Sequence, residues 1–338
     1  MKILLWNMTR ALGDGIIHSG YPEEIKKLFP DAEIHLFSTK MHSAAYINNT
    51  NIDKVYHFRT YNRKKFNVIR TKILMFPLFQ IKNLVKARNE RYDLILDIES
   101  QFRWENFWMI KFISRKSKIS KTFAFFRTSS KRTDKDRKYM EKIYSKVYVD
   151  ESIYQGISEK LNKTVYNKLY ISQNVENRAI EFYNTINYNK DLKIVIFNGE
   201  GSDKSISENK IVDTINYLLD SRDDILILVL SYVNYYNKYK KIIDIVNNDR
   251  FCLTYNTSIE DTFALVKHAD LVITLDTAIL HIADTFFIPI CEIINYNKKD
   301  YFPTKPRFSK YEIIESIGID NLNNFKSENL LNFINNLL

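Results

Sequence analysis

The chain has 338 residues, of which 45% are hydrophobic and only 7 are glycine and 6 are proline. This composition excludes disordered and collagen-like proteins and predicts a globular chain with two domains. Residues 1–150 contain 30 Lys and Arg against 15 Asp and Glu, a net charge of +15, whereas the rest has 20 against 25, a net charge of −5. Such asymmetry indicates that the first half meets an anionic partner.

Apolar runs typical of buried strands alternate with helix-length segments in both halves. In the first half the predicted strands cover residues 3–8, 33–39, 54–58, 93–98 and 121–126. In the second half they cover residues 193–198, 225–231, 251–256, 271–276 and 288–294. Two sets of five predict an α/β protein with two doubly wound parallel sheets.

The polar stretch 176–191 predicts the domain boundary, with an N-terminal domain of residues 1–178 and a C-terminal domain of residues 179–338. Residues 327–338 predict an amphipathic helix, which can pack back on the N-terminal domain. No segment approaches the roughly 18 consecutive apolar residues of a membrane-spanning helix. Cys252 and Cys291 lie in separate apolar runs, which predicts buried, reduced thiols in a cytosolic protein that is soluble or peripheral to a membrane.

Ligands of doubly wound folds bind beyond the carboxyl ends of the strands, and three loops there carry polar residues. The first, "TRALGDGIIHSG", has Gly13 and Gly15 on either side of Asp14. Glycine permits close backbone approach, so the Asp14 carboxylate is expected at a helix start, facing the cleft between the domains. Alternatively, Asp14 is only an N-cap. The dinucleotide-binding spacing G-x-G-x-x-G is missing.

The second loop, "NGEGSDKSISENK", follows the first strand of the second half. Its candidate ligands are Gly199, Gly201, Ser202, Lys204 and Ser205. Backbone amides at the start of a helix together with a lysine can bind a diphosphate. The loop lacks the spacing of a P-loop, and the alternative is a polar turn with a capping serine.

The third loop is "TLDTAILHIADTFFIPI", in which Asp276 ends a strand, Thr277 is placed to begin a helix, and His281 lies one turn further on. Asp276, Thr277 and the helix N-terminus can bind ribose hydroxyls or phosphate oxygens. The alternative is an Asp/Thr cap with a structural histidine in the core.

These three loops, in this order, resemble glycosyltransferase family 9, the ADP-heptose:lipopolysaccharide heptosyltransferases. The L-G-D turn is Leu12-Gly13-Asp14, the family's D-T-G-x-x-H-x-A motif corresponds to residues 276–283, and the glycine-containing loop is 199–204. The segment "YFPTKPRF" is similar to the one after the family's last strand. The resemblance implies a GT-B fold and an inverting, metal-independent transfer from ADP-heptose, with no cofactor beyond this nucleotide-sugar.

By the same resemblance, Asp14 is the general base, Lys204 contacts the donor diphosphate, and Asp276, Thr277, Ala278 and His281 bind the donor. Inversion needs a base for the acceptor hydroxyl and a cation for the leaving diphosphate, which agrees with these roles. Two departures bear on the nucleotide: Ala278 replaces the motif's glycine, and "SYVNYYNKYK" lacks the acid that relatives use to hold the nucleoside.

In family members the N-terminal domain receives the acceptor. The candidate acceptor-binding residues here are Arg10, Gly13, His18, Arg63 and Lys64. Basic segments with apolar residues between them, at 59–91 and 111–146, can dock on an anionic glycolipid such as the lipid A-core or on the cytoplasmic face of the inner membrane. We therefore expect a cytoplasmic, peripheral protein of a Gram-negative bacterium.

No metal site is expected, because Asp134-Lys135-Asp136 lies among basic residues and no His or Cys cluster has ligand spacing. One alternative function is a GT-B enzyme of capsule or protein glycosylation that uses another nucleotide-sugar. The less favoured alternative is a nucleic-acid-binding protein, for which the chain lacks the usual motifs. No nucleic-acid partner is therefore expected.

Overall fold

The structure is a computed structural model of the chain. It describes residues 1–8, 11–58, 81–98, 104–115, 117–121, 165–187, 191–201, 204–230, 235–255, 257–295, 304–318 and 322–338. The chain divides into two compact units, Met1–Lys168 and Leu169–Leu338.

The first unit contains a five-stranded parallel sheet in the order β3-β2-β1-β4-β5. Its strands are β1 (Lys2–Asn7), β2 (Glu33–Ser38), β3 (Lys54–His57), β4 (Leu94–Asp97) and β5 (Lys118–Lys121). Its helices are α1 (Leu12–Ile17), α2 (Tyr21–Leu28), α3 (Lys40–Ser43), α4 (residues 81–89) and α5 (Trp104–Ser114), with a 3-10 turn at Ala44–Tyr46. In β1 the five residues after Lys2 are buried, as expected for a central strand covered on both faces.

The second unit contains a six-stranded parallel sheet in the order β11-β10-β9-β6-β7-β8. Its strands are β6 (Lys193–Asn198), β7 (Ile225–Val229), β8 (Phe251–Leu253), β9 (Leu271–Leu275), β10 (Ile290–Ile294) and β11 (Tyr311–Glu315). Its helices are α6 (Gln173–Ile186), α7 (Glu208–Ser221), α8 (Tyr236–Val246), α9 (Ile259–Lys267), α10 (Ala278–Thr285) and α11 (Ser327–Leu337). The two sheets confirm the predicted α/β class with two doubly wound parallel-sheet units.

Two strands differ from the sequence prediction. The fifth strand is Lys118–Lys121 rather than residues 121–126, of which 122–126 lie outside the described residues. Strand β11 was not predicted, because "YEIIE" is largely exposed and lies at the sheet edge, where a continuous apolar run is not required.

The unit boundary lies between residues 168 and 169, whereas the sequence placed it between 178 and 179, inside α6. Helix α6 belongs to the second unit because its buried residues, Val175, Ala179 and Tyr183, lie on the side of the helix that packs on α9. The polar composition of this segment therefore reflects the exposed face of a helix and not a linker. Similarly, α11 packs into the core of the second unit through Leu330, Phe333 and Ile334, where the sequence analysis allowed packing on the N-terminal domain.

Among the described helices, none has the combination of length and hydropathy needed to cross a bilayer. Cys291 is buried in β10 and Cys252 is partly buried in β8, and neither forms a disulfide in the described part of the chain.

Candidate active site

The Asp14 carboxylate lies in the first turn of α1, which begins five residues after the end of β1. The N-cap is Ala11, so Asp14 is not the capping residue, and its side chain is partly buried. Gly13 and Gly15 are both buried. A Cβ on Gly15 would lie 2.5 Å from the backbone oxygen of His42. The helix that carries Asp14 can therefore pack this closely on α3 only with glycine at this position.

Two of the predicted acceptor-binding residues are described in detail, and both are buried. Gly13 is buried in α1, and His18 is 3% exposed, with its Nδ1 atom 3.3 Å from the Nδ2 atom of Asn7. The imidazole of His18 also lies against His42, with 6.2 Å between ring centroids. Arg10, Arg63 and Lys64 lie outside the described residues.

The loop after β6 folds back on itself. The Gly201 amide donates to the Lys204 oxygen at 2.8 Å, and the Ile206 amide donates to the Gly199 oxygen at 2.9 Å. This turn presents the Lys204 side chain, which is 21% exposed, beside Asp276 from the loop after β9. Their charged atoms are 3.7 Å apart. The structure thus brings together the predicted diphosphate ligand and the predicted donor-binding acid, because β6 and β9 are neighbours in the sheet. Ser205 is exposed on the same turn, and Ser202 lies outside the described residues.

Thr277 is the N-cap of α10, as predicted, and its Oγ1 atom accepts a hydrogen bond from the Ile279 amide at 3.3 Å. Asn198, at the end of β6, links the two loops, since its Nδ2 atom donates to Thr277 Oγ1 at 3.2 Å and to the Glu200 oxygen at 3.1 Å. Ala278 begins the helix and is partly exposed, whereas His281 is 7% exposed. The N-terminus of α10 therefore lies next to Lys204 and Asp276.

Three residues of α8 and its N-cap support the loop after β6, and the sequence analysis did not identify them. The Lys238 ammonium contacts the carboxylate of Glu200, whose side chain is 3% exposed, and donates to the Ile206 oxygen at 2.8 Å. Tyr235 donates to the Gly201 oxygen at 3.0 Å, and the Tyr239 hydroxyl accepts from the Gly199 amide at 3.3 Å. Their spacing of three and four residues at a helix start is the signal that could have grouped them. These residues belong to "SYVNYYNKYK", the segment that lacks a nucleoside-binding acid, and they support the loop after β6.

Glu292, in the middle of β10, is a second group that the sequence analysis missed. It is 0% exposed, and neither carboxylate oxygen has a hydrogen-bond partner among the described residues. Burial, and then the nearby Asp276 carboxylate, raise the pKa of Glu292 to about 8, while Lys204 and Lys305 act in the opposite direction. In the sequence, the feature that could have identified Glu292 is its position as the single acid within the apolar run "IPICEII".

Asp284, on the buried side of α10, fixes the segment before β11. Its carboxylate accepts hydrogen bonds from the backbone amides of Arg307, Phe308 and Ser309 at 2.8–3.1 Å. This contact holds the segment that carries Lys305, whose positive charge acts on Glu292. It also holds the end of "YFPTKPRF" (residues 301–308), the segment that is similar to one in relatives, although residues 301–303 lie outside the described part.

One cluster of potential metal ligands occurs among the described residues, formed by Glu33, His35 and Glu90. Hydrogen bonds from Lys2 and then Lys54 lower the pKa of Glu90 to about 2. The cluster lies where β1 and β2 begin, at the opposite edge of the sheet from Asp14. The ammonium groups of Lys2 and Lys54 pair with the Glu90 carboxylate. The cluster is therefore an ion-pair network in which these charges compensate one another. Residues 134–136 lie outside the described residues.

No protein-family model matches the chain, and no curated protein matches it in sequence. Solved structures do match over its whole length. The glycosyl transferase family 9 structure from Veillonella parvula has a TM-score of 0.70 at 14% identity, covering 99% of this chain and 96% of the other. The E. coli ADP-heptose lps heptosyltransferase II has a TM-score of 0.68 at 14% identity, covering 100% and 98%. The E. coli heptosyltransferase WaaC with ADP-2-deoxy-2-fluoro heptose has a TM-score of 0.65 at 13% identity, covering 99% of both chains.

At these identities the likeness concerns the fold. It extends over both units and confirms, at that level, the resemblance to glycosyltransferase family 9 that the three loops predicted. The chain has the GT-B fold of two doubly wound parallel-sheet units.

Proposed function

We propose that this protein is an inverting, metal-independent glycosyltransferase that moves heptose from ADP-heptose to the inner core of lipopolysaccharide or lipooligosaccharide. The observation that carries the proposal is the pairing of Lys204 with Asp276 beside the N-terminus of α10, in a chain that has the fold of heptosyltransferases over its entire length. An ammonium group and open backbone amides are the groups that bind a diphosphate.

In the proposed reaction, the acceptor hydroxyl oxygen forms a bond to the anomeric carbon on the face opposite the leaving group, and the Asp14 carboxylate takes the hydroxyl proton. The bond from the anomeric carbon to the diphosphate oxygen breaks, and ADP leaves with its electron pair. Lys204 and the α10 amides stabilise the charge that develops on the diphosphate. Asp276 and Thr277 bind donor hydroxyls or phosphate oxygens.

The test of the base is turnover of ADP-heptose with a truncated core glycolipid by wild type and Asp14→Ala. We expect the variant to lose about a hundred- to ten-thousand-fold in turnover while ADP affinity is retained, because the carboxylate acts on the acceptor proton only. The exposed acid Asp31 supplies the control, and Asp31→Ala is expected to keep full activity. Unchanged turnover in Asp14→Ala would exclude this role for Asp14.

The test of the donor site is ADP binding by calorimetry. Lys204→Ala removes the cation beside the α10 N-terminus, and we expect a loss of affinity of at least about tenfold. Lys241→Ala removes an equal charge from a side chain that is 65% exposed on α8, and it is expected to leave binding unchanged. Equal affinities of the two variants would place the diphosphate elsewhere.

An alternative is a GT-B enzyme of capsule or protein glycosylation with another nucleotide-sugar. Two observations favour it. Ala278 occupies the motif's glycine position at the helix start. Tyr235, Lys238 and Tyr239 lie in the segment after β7, where relatives have the acid that holds the nucleoside, and here they support the loop after β6 instead. A panel of nucleoside diphosphates and nucleotide-sugars, compared by thermal shift, separates the two functions. The largest shift with ADP supports heptose transfer, and a larger shift with UDP or GDP supports the alternative.

We also propose that the first unit binds the cytoplasmic face of the inner membrane, where the anionic acceptor lies. Helix α4 exposes Ile81, Lys82, Val85 and Lys86 on one face. The neighbouring α5 exposes Trp108, which is 59% exposed, together with Lys111 and Phe112, and Arg115 is exposed directly after the helix. Arg88 connects the two helices through the Phe112 carbonyl. Exposed aromatic side chains with lysines beside them are typical of interfacial membrane binding.

Co-sedimentation with vesicles tests this surface. We expect wild type to bind phosphatidylglycerol-containing vesicles and not phosphatidylcholine alone, and Trp108→Ala/Phe112→Ala to bind at least about tenfold more weakly. Ile245→Ala, which truncates a side chain 55% exposed in the second unit, is the control. Equal binding of both variants would show that another surface contacts the lipid.

A further inference from the structure

A row of polar residues crosses the second sheet on the face covered by α10. Asn198, Thr274 and Glu292 are register partners on the adjacent strands β6, β9 and β10. Asn198 and Thr274 each contact the Thr277 hydroxyl, at 3.2 Å in both cases. Thr277 in turn caps the helix whose N-terminus lies beside Lys204 and Asp276. The row therefore forms the floor of the candidate donor site.

Glu292 differs from the other two members of the row. Its carboxyl group is fully buried, and both oxygens lack a hydrogen-bond partner among the described residues. An ionised carboxylate without a partner is very costly to bury, whereas a neutral carboxyl is tolerated. Among the described residues, the charged groups that act on it are Asp276, Lys204 and Lys305, and His281 and Asp284 are the titratable residues buried on α10, the helix over this face. Asp284 is occupied by three backbone amides, and the β11 register partner of Glu292, Ile313, is apolar.

We propose that Glu292 is a positioning residue of the donor site, whose neutral form leaves Lys204 available to the diphosphate of the nucleotide. The inference rests on the proposed donor site. It concerns a residue that lies beneath this site and does not itself touch the ligand.

The reason is the local charge balance. With Glu292 neutral, the negative charge that acts on Lys204 from within the sheet is absent, and an incoming diphosphate meets the ammonium beside Asp276. With Glu292 ionised, the diphosphate meets an additional, buried negative charge in a setting of low polarity. Binding of the diphosphate is therefore coupled to the proton on Glu292.

The experiment measures the Kd of ADP between pH 7.5 and pH 9.0 for wild type and Glu292→Gln. If only the neutral form binds, wild-type affinity falls by about eightfold over this interval, whereas the glutamine variant, which stays neutral, keeps its affinity. Glu312→Gln is the matched control, since Glu312 is exposed on the neighbouring strand β11, and its variant is expected to follow wild type.

A second measurement needs no variant. Calorimetry of wild type at pH 8, in buffers of different ionisation enthalpy, is expected to show uptake of about half a proton per ADP bound. Parallel pH profiles for wild type and Glu292→Gln, or no proton uptake, overturn this inference while leaving the donor site intact. Absence of ADP binding by wild type at pH 7.5 overturns the proposed function instead, and this inference with it.

Discussion

The two candidate regions are built in different ways. In the second unit, the residues of the candidate donor site contact one another through side chains: Lys204 lies beside Asp276, and Asn198 links the loops after β6 and β9. In the first unit, the helix of Asp14 is positioned by close backbone packing, with Gly15 against the oxygen of His42. Burial also lowers the pKa of His42 well below its ordinary value, so that this histidine is neutral at pH 7.

This difference indicates which changes each region tolerates. Charge pairs are sensitive to the loss of one partner and to pH, whereas close backbone packing is sensitive to added volume. Loss of a charge partner is therefore expected to matter most in the candidate donor region, and added volume in the Asp14 region.

The largest effect on stability is expected for Lys238→Met, because it leaves the Glu200 carboxylate buried without its cation. We expect a loss of about 3–5 kcal/mol in the free energy of unfolding, measured by urea denaturation. The double variant Lys238→Met/Glu200→Gln removes the orphaned charge and is expected to recover most of this loss. If the double variant is no more stable than the single one, the ammonium acts through its contact with the Ile206 oxygen and not through Glu200.

The next effect concerns Glu292 without ligand. Its pKa is about 8 in the folded protein against an ordinary value near 4.5, so folding takes up a proton between these values, and the free energy of unfolding falls as pH rises from 5 to 8. Glu292→Gln has no carboxyl group at this position, so its stability does not depend on this proton uptake. We expect the variant's stability relative to wild type to increase from pH 5 to pH 8 by an amount on the order of 3 kcal/mol, measured by urea denaturation at both values. A constant difference between the two proteins would show that Glu292 ionises normally.

The sequence predicted the parallel sheets because buried central strands are nearly continuous apolar runs, as in "KIVIFN" and "ILILV". The same criterion failed at the edges. Strand β5 is the polar "KISK", whereas the strand was predicted at the more apolar residues 121–126. Strand β11 is largely exposed and was missed.

In the candidate site, the sequence located residues that follow strands directly, such as Lys204, Asp276 and Thr277, because parallel topology fixes which loops lie together. It could not locate Lys238, which contacts Glu200 across 38 positions of sequence, since that contact depends on how α8 packs on the sheet. Glu292 was hidden for a related reason. Its apolar neighbours in the sequence predict only a strand, and the register with Thr274 is what places it on the strand next to β9.

The smallest of the three effects belongs to the Asp14 region. Alanine normally stabilises a helix relative to glycine, by about 1 kcal/mol. In Gly15→Ala, however, the new Cβ would lie 2.5 Å from the backbone oxygen of His42, an atom that cannot rotate away. We expect a net loss of about 2 kcal/mol, measured by urea denaturation, together with reduced turnover because α1 and its Asp14 side chain must shift.

Gly201→Ala is the matched change in the donor region. There the new Cβ would meet the Cγ2 atom of Thr277 at 3.3 Å and the Cβ atom of Lys204 at 3.6 Å, contacts that small side-chain movements can relieve. Its cost is expected to stay below about 1 kcal/mol. Equal losses in the two variants would mean that α1 can move away from α3. In that case glycine packing would not be what positions Asp14. The two regions would then differ only in their polar contacts and not in their sensitivity to added volume.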